Sequence, residues 1–134
     1  MSTGPGNQLV TPVGVFGQQA AASLLAGPFV ALSASGAINP HQPGRYAITK
    51  AGVAALTLAA PTAGADDGIL IEITSTTAYA HTITTPAAGD IQDGNNNGYD
   101  TVMTFNAHKG ASCLLCAYQG VWYVQSEIGC ALSS

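Results

Sequence analysis

RYAITKAGVAALTLAAPTAGADDGILIEITSTTAYAHTITTP, residues 45–86, decides the fold. Four short segments of β-type residues lie in it, separated by turn residues. RYAITK comes first and VAALTLA follows Ala51-Gly52. ILIEITS follows Ala65-Asp66-Asp67-Gly68, and YAHTITT is stopped by Pro86. Tyr46, Ile48, Leu56, Leu58, Ile69, Ile71, Ile73, Ala80, Thr82 and Thr84 fall at alternate positions, the period at which a strand places side chains on one face. Thr and Ile are frequent and long-chain helix formers are scarce, which suits a pleated, half-buried surface. Asp67-Gly68 ahead of an alternating run is a hairpin signal. The expectation is a meander of four strands.

On the C-terminal side, residues 87–100 (AAGDIQDGNNNGYD) form a polar, turn-rich loop. TVMTFNA reads as a strand, Lys109-Gly110 as a turn and ASCLLCAY as another strand. Gln119-Gly120 turns tightly into VWYVQSE, and GCALSS follows. Eight to ten short strands at spacings of about ten residues imply an all-β fold, a small antiparallel β-sandwich or barrel, jelly-roll-like. No internal repeat stands out.

On the N-terminal side, residues 1–44 contain no formally charged residue, and their Gly and Pro density breaks any long regular element. GQQAAASLLAG, between Gly17 and Gly27, can hold a helix of about two turns, and FVALSASGAI can add one or two strands. Tails without structure are normally charged and poor in aliphatics. This one holds Leu9, Val10, Val13, Phe16, Leu24, Leu25 and Phe29. Residues 1–44 are therefore read as an extended arm docked on a neighbour through those side chains, and residues 45–134 as the sandwich domain.

Charge is the unusual feature of the composition. Three Lys or Arg and seven Asp or Glu stand among 134 residues, where an average soluble protein is about a quarter charged. Such a surface belongs in a membrane or under other chains. The most apolar window, residues 20–32, is too short to span and carries Gly27-Pro28, so no membrane partner is expected. No Lys or Arg precedes Arg45 to make the basic start of a signal peptide, which points to the cytoplasm as the place of synthesis. A net charge of −4, with Arg45, Lys50 and Lys109 the only Lys and Arg, argues against nucleic acid. Partners that cover the surface remain.

Four constellations invite a chemical reading. Asp93, Asn95 and Asn97 at alternate positions before Gly98 match the first half of a calcium loop, with Asp100 as a further carboxylate. Thr104 stands where such a loop places its bidentate Glu, and a Gly/Asn-rich connection accounts for the same letters; the plain loop is preferred and no metal is expected. Cys113 and Cys116 form a C-x-x-C, but in a strand residues three apart face opposite ways and cannot share a metal. With Cys130 the cysteine count is odd, and buried free thiols are expected. His81 lies in the last strand of residues 45–86. No G-x-S-x-G elbow, H-E-x-x-H or glycine-rich phosphate loop accompanies it, so no enzyme activity and no cofactor are expected. His81 is read as a structural hydrogen-bonding residue or an oligomer contact. In Trp122-Tyr123 a strand turns one ring into the core and the other outward.

ITKAGVAALTLAAPTAGADDG, STTAYAHTITT and the late GVWYV also resemble small β-structured virion proteins of tailed bacteriophages, capsid decoration (cement) proteins among them. The likeness covers residues 45–124 and leaves the first 44 outside it. It implies a homo-oligomer, dimer or trimer, seated on the major capsid protein at the outer surface of the head, with no catalytic residues. Similar segments occur in phage fibre and tail components, so an adhesion module binding host glycan through the Trp122–Tyr123 region or the Asp90–Asp100 loop is the alternative.

Overall fold

The computed structural model describes residues 27–95 and 99–134. Within them the chain is all β: β1 (Phe29–Leu32), β2 (Gly36–Ile38), β3 (Gly44–Ile48), β4 (Ala55–Leu58), β5 (Leu70–Ser75), β6 (Thr82–Thr84), β7 (Ile91–Gln92), β8 (Val102–Phe105), β9 (Ser112–Tyr118), β10 (Val121–Ile128) and β11 (Cys130–Ser133). These strands make two layers. One sheet has the order β1-β3-β5-β9-β10-β7 and the other the order β11-β8-β6-β4-β2. No described helix is long and apolar enough to cross a membrane.

The four strands of residues 45–86 are present, but they do not form a meander. β3 pairs with β5 and β4 pairs with β6, both parallel. β1 with β3 and β2 with β4 repeat the pattern. From β1 to β6 each connection crosses to the opposite layer, so sheet neighbours there are every second strand in sequence and run the same way. The sheets are consequently mixed, not antiparallel throughout as a jelly roll would be. Antiparallel pairing is confined to β5/β9, β9/β10, β6/β8 and β8/β11. The crossings from β1 to β6 range from residues 33–35 to residues 59–69, and none is the two-residue turn that joins antiparallel neighbours. A two-residue hairpin does join β9 to β10, with Gln119 at φ 48° and Gly120 at φ 82°. Both values are positive, as a type I′ turn demands.

Between the layers lie Ile48, Leu56, Leu58, Ile71, Ile73, Ile83, Met103, Phe105, Leu115 and Trp122, all at 1% exposure or less. Trp122 is wholly buried and its indole N–H donates to the Ala59 carbonyl at 2.9 Å, so the one polar atom of the ring is satisfied. β6 turns the expected face around. His81, Ile83 and Thr85 point inward, and Thr82 and Thr84 point outward. A shift of one residue exchanges the faces of a whole strand.

β1 and β2 are the outermost described strands of their sheets. The sandwich therefore takes in part of residues 1–44 and, within the described residues, begins at Phe29. The helix expected between Gly17 and Gly27 lies almost wholly outside the described residues.

Candidate interaction surface

The register of the six-stranded sheet aligns Phe29, Arg45, Glu72, Leu114 and Ser126 across β1, β3, β5, β9 and β10. All point away from the core, because their sequence neighbours Ile71, Ile73, Cys113 and Leu115 point into it. Arg45 Nε donates to Glu72 Oε1 at 2.6 Å, and Nη1 donates to the Gly27 carbonyl at 3.1 Å. The Arg45 guanidinium also lies 4.2 Å from the centre of the Phe29 ring, a cation–π distance. The only arginine of the chain is thus neutralised inside its own sheet. Of the interface residues expected from sequence, Phe29 stands here, 47% exposed, beside Val30 at 54%. Leu9, Val10, Val13, Phe16, Leu24 and Leu25 lie outside the described residues.

His81 is wholly buried. Its Nδ1 accepts the Ala54 amide N–H at 3.0 Å, which fixes the proton on Nε2, and Nε2 donates to Thr77 Oγ1 at 2.9 Å. Burial pushes its pKa below the ordinary histidine value. The ring ties the chain before β4 to the chain before β6. It is a structural residue and, being buried within one chain, makes no oligomer contact.

Asp66 and Asp67 do not turn a hairpin; they organise the crossing from β4 to β5. Asp66 Oδ2 accepts the Thr62 N–H and the His41 ring nitrogen, each at 2.6 Å, and the Thr62 bond first, then His41, lowers its pKa. Asp67 Oδ1 accepts the Gln119 N–H at 2.7 Å and the Gly64 N–H at 3.1 Å, while Oδ2 accepts Gln119 Nε2 at 2.7 Å. These bonds, led by the Gln119 amide, hold the Asp67 carboxyl below its ordinary range. They also pin Gln119 in its left-handed conformation. Sequence reading missed this clamp because its two halves are far apart in the chain.

In the Asp90–Asp100 loop, Asp93 Oδ1 accepts the Asn95 N–H at 2.8 Å, closing a local turn. Asn97 lies outside the described residues, and Asp100 is half-buried before β8. Among the described residues no three His, Cys, Asp or Glu side chains gather as a metal site. Cys113 faces the core and Cys116 the opposite side of β9, so the C-x-x-C is split as its spacing requires; all three thiols are free, but only Cys113 is buried, Cys116 and Cys130 being half-buried against the expectation. Burial raises the pKa of Cys113 well above the ordinary thiol value, and that of Cys130 to about 12. Cys130 Sγ donates to the Ser112 carbonyl at 3.3 Å. Glu127 sits opposite Cys113 on the inward side of β10, and its Oε2 is buried without a hydrogen-bond partner. Burial first, then the Asp93 carboxylate, raises its pKa.

Trp122 is sealed in the core, while Tyr123 is 40% exposed on the outer face. A cleft of about 330 Å³ opens at the C-terminal ends of β2, β4 and β6, between Ile38, Pro40, Leu58, Thr85 and Pro86. No ionisable side chain lines it. Comparison with known proteins found no matching family model and no matching curated protein.

Proposed function

We propose that this chain is a structural protein of a tailed-phage virion, a capsid decoration protein that seats on the outer surface of the head and bridges neighbouring capsomers. Its partners are the major capsid protein and further copies of itself, and its work is mechanical, not catalytic. One observation carries the reading: β1 ends its sheet, among the described residues, with Phe29 and Val30 about half exposed, in a chain with ten charged residues. Sheet edges are ordinarily blunted by Lys, Pro or bulges, and FVAL carries none of these. Such an edge accepts a strand from another chain: main-chain bonds give affinity and the flanking apolar side chains give specificity. The resemblance of residues 45–124 to small virion proteins supports the same assignment. Because copies repeat over a shell, a modest gain at each capsomer boundary accumulates against the pressure of packaged DNA.

The test is cosedimentation of the purified full chain with undecorated heads. The chain is expected to saturate them at a stoichiometry set by the lattice. Phe29→Lys with Val30→Lys, which places charge on the edge, is expected to stay folded by circular dichroism and to lose binding. Full occupancy by that variant removes the edge from the reading, and failure of the unaltered chain to bind heads removes the reading itself.

A further inference from the structure

We infer that the outer face of the six-stranded sheet is the surface on which two copies of this chain pair, face to face about a twofold axis. This deepens the oligomer part of the proposed function and stands apart from its head-binding part.

The register fixes what that face presents. Phe29, Leu70, Leu114, Cys116, Tyr123 and Ile128 all point outward from it. Its two charged groups, Arg45 and Glu72, are bonded to each other at 2.6 Å. An antiparallel or mixed sheet with one wet face alternates apolar-in with polar-out, and the opposite sheet of this sandwich does so. Thr57, Thr82, Thr84 and Thr104 cover its outer side, and hydroxyls suit water. The six-stranded sheet also turns Thr74, Ser112 and Ser126 outward, but large apolar and aromatic side chains stand among them, as on a sheet that a further layer covers.

Charge selects a second copy as that layer. A face that neutralises its own ion pair meets an identical face without like-charge opposition, and a self-complementary patch generates a closed twofold dimer. Area agrees. Six strands at ~4.8 Å spacing and about six residues at ~3.3 Å rise cover roughly 570 Å² of projected face. Two such faces bury roughly 1,100 Å² or more in total, which reaches the range of a specific, modest interface.

Sedimentation equilibrium of the full chain tests this, with Leu114→Lys, Tyr123→Lys and Thr57→Lys as variants. Leu114 lies at the centre of the face beside Glu72, which gives a lysine there a partner within the monomer but opposes two cations across the axis. The unaltered chain and Thr57→Lys are expected to be dimers. Leu114→Lys is expected to raise the dissociation constant at least about a hundredfold, the scale of opposing like charges across an interface. Should Leu114→Lys fail to fold, the more exposed Tyr123→Lys decides, with the same expectation. A monomer at about 100 μM, far above the dissociation constant of a specific interface, overturns the inference. So does a trimer, or a dimer that the folded lysine variants leave unchanged. Monomers that still decorate heads overturn this pairing and keep the head-binding reading; dimers that ignore heads do the reverse.

Discussion

Replacing His81 probes the tie between the chain entering β4 and the chain entering β6, neighbours in one sheet, and its consequences can be worked from two hydrogen bonds. In His81→Leu the Ala54 amide, buried at 0% exposure, loses its acceptor. Leaving a buried N–H unpaired costs about 1–3 kcal/mol, while leucine refills most of the ring's volume. With a urea slope of about 1–3 kcal/mol per molar for a small domain, the midpoint falls by roughly 1 M at pH 7.5. His81→Asn keeps an oxygen near the place of Nδ1 and separates the bond from the titration. The folded pKa of His81 is depressed from 6.5, so the unfolded chain binds the proton more readily. The stabilising contribution of the neutral ring is therefore complete above about pH 6.5 and is lost as pH falls towards the folded pKa, at no more than about 1.4 kcal/mol per pH unit. Urea unfolding of the unaltered chain and His81→Asn at intervals from pH 7.5 to pH 5 should show the unaltered chain losing stability faster. Carboxylates common to both cancel in the difference. Parallel pH dependence, or a His81→Leu variant as stable as the unaltered chain at pH 7.5, would refute the assignment of the ring as a neutral acceptor for Ala54.

Two further outcomes follow from core-facing groups of β9, β10 and β11. The buried thiol of Cys113 and the half-buried thiol of Cys130, both with raised pKa, should react with a disulfide reagent at pH 8 more slowly in the folded chain than in urea; equal rates would show that the fold does not shield them. Glu127→Gln should raise the urea midpoint at neutral pH, because the raised pKa of the carboxyl marks an ionised form that the fold disfavours. The gain should grow as pH rises above about 4.5 and vanish below it; a gain independent of pH would point to packing instead of charge.

The strands were legible because β-branched and apolar residues alternate with polar ones, and that pattern reports which face a residue takes. Ile48, Leu56, Leu58, Ile71 and Ile73 point inward as their spacing requires. Alternation carries nothing about which strand lies alongside, so four correctly placed strands were joined in the wrong order. YAHTITT misled on face as well: with Thr on both sides of Ile83, only that one aliphatic marked the inward row. Asp67-Gly68 reads locally as a hairpin, yet the Asp67 carboxylate is spent on Gln119, a residue no local window contains. Phe29 alone of the expected interface residues falls within the described residues, and its partner Arg45 could be found only through the register.

The scarcity of charge and the crossing topology bear on each other. A chain that changes layer at every connection between its described strands except the β9–β10 hairpin exposes open edges and full outer faces in both sheets, since parallel neighbours cannot be closed by short hairpins. A soluble monomer would blunt those edges and faces with lysine and glutamate. Here Arg45 is tied to Glu72, and Asp66 and Asp67 accept hydrogen bonds within their own loop crossing. These groups fasten the fold together instead of solvating it. One outer face carries mainly small and hydroxyl side chains and the other larger apolar and aromatic ones beside the Arg45–Glu72 pair, so the two faces differ in what they present. That difference is what the proposed pairing rests on; the charge test at Leu114 addresses the face alone, whereas the edge test at Phe29 and Val30 touches both the edge and the face, because Phe29 belongs to each.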